Sequence, residues 1–208
     1  MAEVGFKLYL ITDRRLFRDL PSFFVAVEEA LKGGADALQL REKDLGVRDL
    51  LGLAYSLRKM TAAYGARFFV NDRVDVALAA GADGVHLGGT AMPPPAVRSI
   101  VGGRMLIGVS AHGIPQAVDA EKGGADFITL GPVFETPSKV RFGKPLGSDI
   151  LRQASSRLSV PLFAIGGISG KRVEEVVRAG ASGVALISAV LASKDIKTDT
   201  EELMRLLE

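Results

Sequence analysis

A closed barrel of eight parallel strands alternating with helices, (β/α)8, is the α/β fold class this sequence predicts, and three observations predict it. One motif recurs four times: GGADALQLR (33–41), AGADGVHLG (80–88), GGADFITLG (123–131) and AGASGVALI (179–187). Four more short apolar segments interleave with the copies: KLYLIT (7–12), ARFFVND (66–72), MLIGVSA (105–111) and PLFAIGG (161–167). No shift in composition interrupts this alternation, so residues 1–208 read as a single domain.

Each element follows from local chemistry. The small or Gly pair that opens every copy suits the end of a helix, because glycine accepts the left-handed conformation found there. The motif therefore reads helix, Gly cap, strand. Its copies recur at intervals in the forties to fifties, twice the length of one βα unit, and the interleaved segments bring the strands to eight. Leu50, Leu53, Ala54, Leu57, Thr61 and Tyr64 trace one helical face, and Val173, Val176 and Val177 trace part of another. Pro93 to Pro95 suit the first turn of a third helix. An open doubly wound sheet would need a switch point and usually one Gly-rich phosphate loop. Neither GxGxxG nor GxxxxGK[ST] occurs, which favours the barrel.

Composition narrows the function. At 48% hydrophobic residues the chain can bury one substantial core. The net charge is only +2, no Lys/Arg run exceeds a pair and aromatics are 6%, so a nucleic-acid surface is not expected. Arg14, Arg15 and Arg18 form the densest basic patch and read as a solvated loop. The absence of cysteine excludes disulfides, thiolate catalysis and Cys-based zinc sites. LYLI is too short for a signal peptide and ASGVALISAVLA too short for a membrane span, so a soluble cytoplasmic protein is expected.

The polar residues point to one end of the barrel. In ADALQLREKD, alternation sends Leu38 and Leu40 outward against helices and Gln39 and Arg41 inward, with Lys43 just beyond. Other strand ends offer Thr12 and Asp13, Asn71 and Asp72, His86, Ser110 and His112, Thr136, Ser138 and Lys139, Gly166 and Gly167, and Ser188. Functional groups of such barrels gather at that rim. Arg41, Lys43 and Lys139 are cations and Asp72 is a hard oxygen donor, a set that fits a polyphosphate held with a divalent metal such as Mg²⁺. Gly166 and Gly167 let backbone amides approach an anion, and Ser169 suits the cap of the next helix. Plainer readings stand beside these. Asp72 equally suits the cap of a helix beginning near Val74, and His86 suits a hydrogen-bonded core position. His112 is a candidate general base in a loop, and Arg141 and Lys144 read as solvated charges.

The stretches LYLITDR, LQLREKD, FFVNDRVDVALAAGADGVHLG, IGVSAH, GADFITLGPVFETPSK, FAIGGI and GVALIS resemble the thiamine phosphate synthase and TenI superfamily over nearly the whole chain. The resemblance implies a TIM barrel. It also implies condensation of a hydroxymethylpyrimidine diphosphate with a thiazole phosphate, giving thiamine phosphate and pyrophosphate. By the same resemblance Gln39, Arg41, Lys43, Asn71, Ser110 and Lys139 would hold the pyrimidine diphosphate. Asp72 would bind Mg²⁺, and Thr136, Ser138, Gly167, Ile187 and Ser188 would surround the thiazole phosphate. Arg41, Lys43, Ser110 and Lys139 would carry the catalytic step, in which pyrophosphate leaves and the thiazole nitrogen attacks a pyrimidine methylene cation. The expected partners are these small molecules; the sequence leaves a homo-oligomer open.

One departure stands out. The synthases typically read G-Q-E-D after the HLG of strand four, whereas GVHLGGTAMPPP puts Ala91 at the acidic position that completes the metal site. The same resemblance therefore carries an alternative, a TenI-like thiazole tautomerase with His112 as acid/base and no metal. A noncatalytic thiazole-phosphate-binding regulator is the third reading.

Overall fold

Every segment that reads as a strand in the sequence is one, and the eight close into a barrel in chain order, β1 pairing with both β2 and β8. The computed structural model describes residues 4–136 and 145–208. The strands are β1 (Leu8–Ile11), β2 (Ala37–Leu40), β3 (Arg67–Asn71), β4 (Gly84–Leu87), β5 (Leu106–Ala111), β6 (Phe127–Leu130), β7 (Leu162–Ile165) and β8 (Gly183–Leu186). Around them lie α1 (Leu20–Lys32), α2 (Val47–Ala63), α3 (Val74–Ala79), α4 (Pro94–Val101) and α5 (Ile114–Lys122). The set continues with α6 (Asp149–Ser155), α7 (Gly170–Arg178), α8 (Ser188–Leu191) and α9 (Ile196–Arg205). All eight pairings are parallel, as the (β/α)8 TIM barrel requires.

Strand alternation divides the core into two apolar layers. Leu38 and Leu40 face outward and join Leu50, Leu53, Ala54 and Leu57 of α2, while Ala37 turns inward with Tyr9, Phe69, Phe127 and Phe163. Phe6, just before β1, seats its ring 5.0 Å from Phe163 and 5.3 Å from Phe127, centroid to centroid. Glycines make room for these rings. A Cβ on Gly84, Gly108 or Gly183 would lie 2.4, 2.3 and 2.6 Å from the rings of Phe69, Phe127 and Phe163 respectively. Large beside small fills the N-terminal half of the barrel with aromatic carbon, so inward-facing polar groups are left to the opposite end.

The repeated motif has two structural duties. Gly34, Gly81, Gly124 and Gly180 occupy the same place in the four copies, and all have positive φ, from 62° to 98°. This is the left-handed helix ending that the sequence predicts. The acid that follows binds the backbone of the preceding odd-numbered strand. Asp36 accepts from Leu8 N–H at 2.8 Å, Asp83 from Phe68 N–H at 2.8 Å and Asp126 from Ile107 N–H at 2.7 Å. In the fourth copy the hydroxyl of Ser182 accepts from Leu162 N–H at 3.3 Å. These bonds satisfy amides at strand beginnings, where the ladder has no partner to offer.

Several expectations need correction. The buried face of α2 ends at Thr61; Tyr64 follows the helix and is exposed. The buried stripe of α7 is Val173 and Val176, with Val177 partly exposed. Pro93 takes the cap position of α4, and Pro94 and Pro95 form its first turn. Ser169 sits at the cap of α7 without a capping bond from its side chain. Arg14 and Arg15 belong to a single 3-10 turn, Arg14–Leu16, capped by Asp13, rather than to a free loop. Each of the three arginines pairs with a carboxylate: Arg14 with Asp44, Arg15 with Asp13 and Arg18 with Asp19.

Candidate active site

The C-terminal rim is assembled from strand ends far apart in sequence. β1 delivers Thr12 and Asp13, β2 delivers Gln39 and then Arg41 to Lys43, and β3 delivers Asn71 and Asp72. β4 supplies His86, β5 supplies Ser110 and His112, and β6 supplies Thr129. Register sets their heights: Ile11 lies beside Gln39, Asn71 beside His86, and Ser110 beside Thr129.

Asp72 is the pivot of one side. Its φ is +58°, the one positive value among described residues other than glycine, a conformation that costs energy and concentrates at functional sites. Its Oδ1 accepts from Gly88 N–H at 2.7 Å, and its Oδ2 faces Lys43 Nζ at 3.3 Å. The capping reading of Asp72 is thereby overturned: Arg73 holds the cap position of α3, and the carboxylate turns to the rim. Asn71, Asp72, Glu42, Lys43, Arg73 and Thr90 line a cleft of about 310 Å³ here.

The barrel interior just below the rim is polar and closed. His86 is 2% exposed; its Nε2 lies 2.9 Å from Ser110 Oγ, and Thr129 Oγ1 stands 3.3 Å from the same Ser110 oxygen. Burial drives the His86 pKa down to about 3, with the Arg41 charge adding to the shift and Asp72 opposing it. The fields of Arg41 and Asp72 thus meet at one imidazole. The core reading of His86 holds, although its Nδ1 has no partner among the described residues. Gln39, inward as alternation predicts, is also fully enclosed. It stands beside the Tyr9 phenol, whose pKa burial pushes well up, yet Gln39 Nε2 and the Tyr9 hydroxyl close no hydrogen bond of normal geometry.

Across the rim, His112 is exposed, and its Nδ1 lies 2.7 Å from the Gly131 carbonyl. A carbonyl only accepts, so Nδ1 carries the hydrogen and Nε2 is the free basic nitrogen. Gly166 and Gly167 both have positive φ, 98° and 66°, and a Cβ on Gly167 would lie 2.4 Å from the Glu135 carbonyl oxygen. Thr136 ends the described part of the loop after β6. Ile187 packs against the inner apolar layer, and Ser188 is exposed at the start of α8. Ser138, Lys139, Arg141 and Lys144 lie outside the described residues.

Two groups below the rim cations are buried, Thr12, which the sequence places at a strand end, and Glu42, which a residue-by-residue reading passes over. Thr12 is fully buried, with its hydroxyl accepting from Arg41 N–H at 2.9 Å. Glu42, between Arg41 and Lys43 in sequence, is buried, and burial raises its carboxyl pKa, with Thr12 and Arg14 pulling the other way. Alternation was the available signal, because a residue between two rim cations must point away from the rim.

As for a metal, the donor chemistry is specific. Among the described residues no three His, Cys, Asp or Glu side chains gather to hold an ion, and Ala91 bears no donor. Mg²⁺ typically takes one or two protein carboxylates and completes its shell with water and substrate phosphates. Asp72 alone fits that pattern, for an ion that arrives with a diphosphate.

Comparison with known proteins places the whole chain. Residues 8–190 match the family model described as thiamine monophosphate synthase. A Geobacter sulfurreducens protein with the name "Putative thiamine-phosphate synthase" is 51% identical, covering 100% of this chain and 97% of that protein. The thiamine-phosphate synthase of Clostridium novyi is 40% identical over 97% of this chain and 98% of its own length. Among solved structures, the thiamine phosphate pyrophosphorylase of Pyrococcus furiosus superposes with a TM-score of 0.88 at 42% identity, covering 97% of this chain and 95% of that one. A 3-hexulose-6-phosphate synthase structure, with a TM-score of 0.73 at 20% identity, shares the fold alone.

Proposed function

The chain belongs to the thiamine monophosphate synthase family, and on that premise we propose that it joins a hydroxymethylpyrimidine diphosphate to a thiazole phosphate, releasing pyrophosphate. The observation that carries this reading is near-full-length similarity to thiamine-phosphate synthases, at 40–51% identity. The rim chemistry supports it: Arg41, Lys43 and Asp72 stand together above a closed polar floor.

In this mechanism Arg41 and Lys43, with Lys139, hold the diphosphate and stabilise the charge that grows as it departs. Gln39, Asn71 and Ser110 orient the pyrimidine over the barrel mouth. The enclosed wall below them keeps bulk water from the methylene cation, which water would otherwise trap. Thr136, Ser138, Gly167, Ile187 and Ser188 hold the thiazole phosphate so that its nitrogen meets the cation. Asp72 would hold Mg²⁺, which when bound would supply positive charge beside the diphosphate. No side-chain nucleophile takes part.

One observation favours a second reading. His112 presents a free Nε2 of defined tautomer, as the proton transfer of a thiazole tautomerase requires. Mixing the protein with both substrates and Mg²⁺ tests the two. The synthase reading expects thiamine phosphate and pyrophosphate, slowed at least about a hundredfold by Lys43→Ala. Without thiamine phosphate, acceleration of thiazole aromatisation that His112→Ala abolishes would establish the tautomerase. If neither reaction occurs, tight binding of thiazole phosphate would point to the regulator.

A further inference from the structure

We propose that Arg172 is a positioning residue: it clamps the loop after β6 to the glycine pair after β7 and acts on the thiazole phosphate through the Gly167 backbone. The proposal rests on the synthase reading for the ligand it positions.

The two loops meet backbone to backbone. β6 and β7 pair as far as Leu130 and Ala164, and two bonds continue the contact beyond the strands. Val133 N–H donates to the Ile165 carbonyl at 2.9 Å, and Phe134 N–H donates to the Gly166 carbonyl at 3.0 Å. The approach is close enough that a Cβ on Gly166 would lie 2.6 Å from Pro132 Cβ. Glycine is therefore required there, and with φ of 98° and 66° the pair Gly166–Gly167 has no side chain of its own to brace it.

Arg172 supplies the brace from outside. It is the third residue of α7. Its Nη1 donates to the Gly167 carbonyl at 2.7 Å, while its guanidinium carbon stands 4.2 Å from the centre of the Phe134 ring. One planar cation thus bonds the β7 loop with its edge and stacks on the β6 loop with its face. The bond selects one orientation of the Gly167–Ile168 peptide. In a planar trans peptide the carbonyl and the next N–H point opposite ways, so the Ile168 N–H is turned away from Arg172. That N–H donates to no protein group among the described residues. A free backbone amide beside two left-handed glycines is the kind of donor a phosphate oxygen takes. Its value depends on being held in place before the ligand arrives.

The test uses the full chain. Steady-state kinetics with each substrate varied in turn, and calorimetric binding of thiazole phosphate, are measured for wild type, Arg172→Met, Phe134→Leu and Phe134→Tyr. We expect Arg172→Met to weaken thiazole-phosphate binding and raise its KM roughly tenfold, the loss of one hydrogen bond from a charged group. Phe134→Leu, which leaves the charge in place, should weaken both roughly threefold, and Phe134→Tyr, which keeps the ring, should match wild type. KM for the pyrimidine diphosphate should stay nearly constant throughout. The Arg172→Met/Phe134→Leu double variant should lose little beyond Arg172→Met alone. If Arg172→Met fails to fold, Phe134→Leu against Phe134→Tyr carries the comparison. Unchanged thiazole-phosphate binding in the variants that fold, or an equal rise in both KM values, would overturn the proposal. So would a loss in Arg172→Met that Phe134→Leu does not share, since Arg172 would then act as a plain charge near the phosphate. A wild type that binds thiazole phosphate but makes no thiamine phosphate would instead sink the synthase reading, with the binding arm still deciding the role of Arg172. A wild type that binds no thiazole phosphate would overturn both.

Discussion

The buried imidazole of His86 should make this protein sensitive to acid in a way that one substitution can isolate. In the folded chain its pKa is about 3, because burial disfavours the cation; in the unfolded chain it returns to the ordinary value of 6.5. Between these limits the unfolded state carries about one more proton than the folded state. A base whose folded pKa is lowered therefore loses stability as pH falls below its unfolded value, by about 1.4 kcal/mol per pH unit. From about pH 6.5 to about pH 4.5 the loss amounts to roughly 2.3 kcal/mol, a substantial part of a typical folding free energy. Urea unfolding of wild type and His86→Gln across this range is the assay. Glutamine can still bond to Ser110 and does not titrate. Asp13, whose pKa the Arg15 hydrogen bond lowers, also favours acid unfolding, while Asp36 and Glu42, whose pKa values burial raises, oppose it. Those contributions are common to both chains and cancel in the difference. The stability advantage of wild type over His86→Gln should shrink by about 1.4 kcal/mol per unit below pH 6.5 and be constant above about pH 7.5. Parallel pH profiles would refute a neutral, enclosed His86.

Two further perturbations probe the frame and the metal. Asp83 accepts from Phe68 N–H and pairs with Arg58 and Arg67, so Asp83→Asn should cost about 1.5–3 kcal/mol in urea unfolding. Ser182→Ala, at the equivalent place with one neutral bond of 3.3 Å, should cost about 1 kcal/mol or less. Ala91→Asp should bind Mn²⁺ measurably more tightly than wild type in the absence of substrate, read by paramagnetic resonance titration; equal affinities would mean that residue 91 does not face the ion held by Asp72.

The sequence by itself determined the eight strands, their order, and which side of each strand meets the barrel interior. Apolar alternation, and a glycine where a helix ends, are local properties written within a few neighbouring residues. Gln39 inward and Leu38 outward follow from that parity, and so does His86 on the inner face of β4. Only the tertiary structure decided what each polar group meets there. Asp72 reads equally well as a cap or as a rim group until register brings Gly88 N–H within 2.7 Å of it. The repeated acids have no visible partner in the sequence; closure sets Asp36 against Leu8 and Asp126 against Ile107. Glu42 reads as one more charge in LREKD, yet it is enclosed because β1 lays Thr12 and Arg14 over it. Hydrogen bonds between groups tens of residues apart depend on strand register and barrel closure, which the whole chain fixes together.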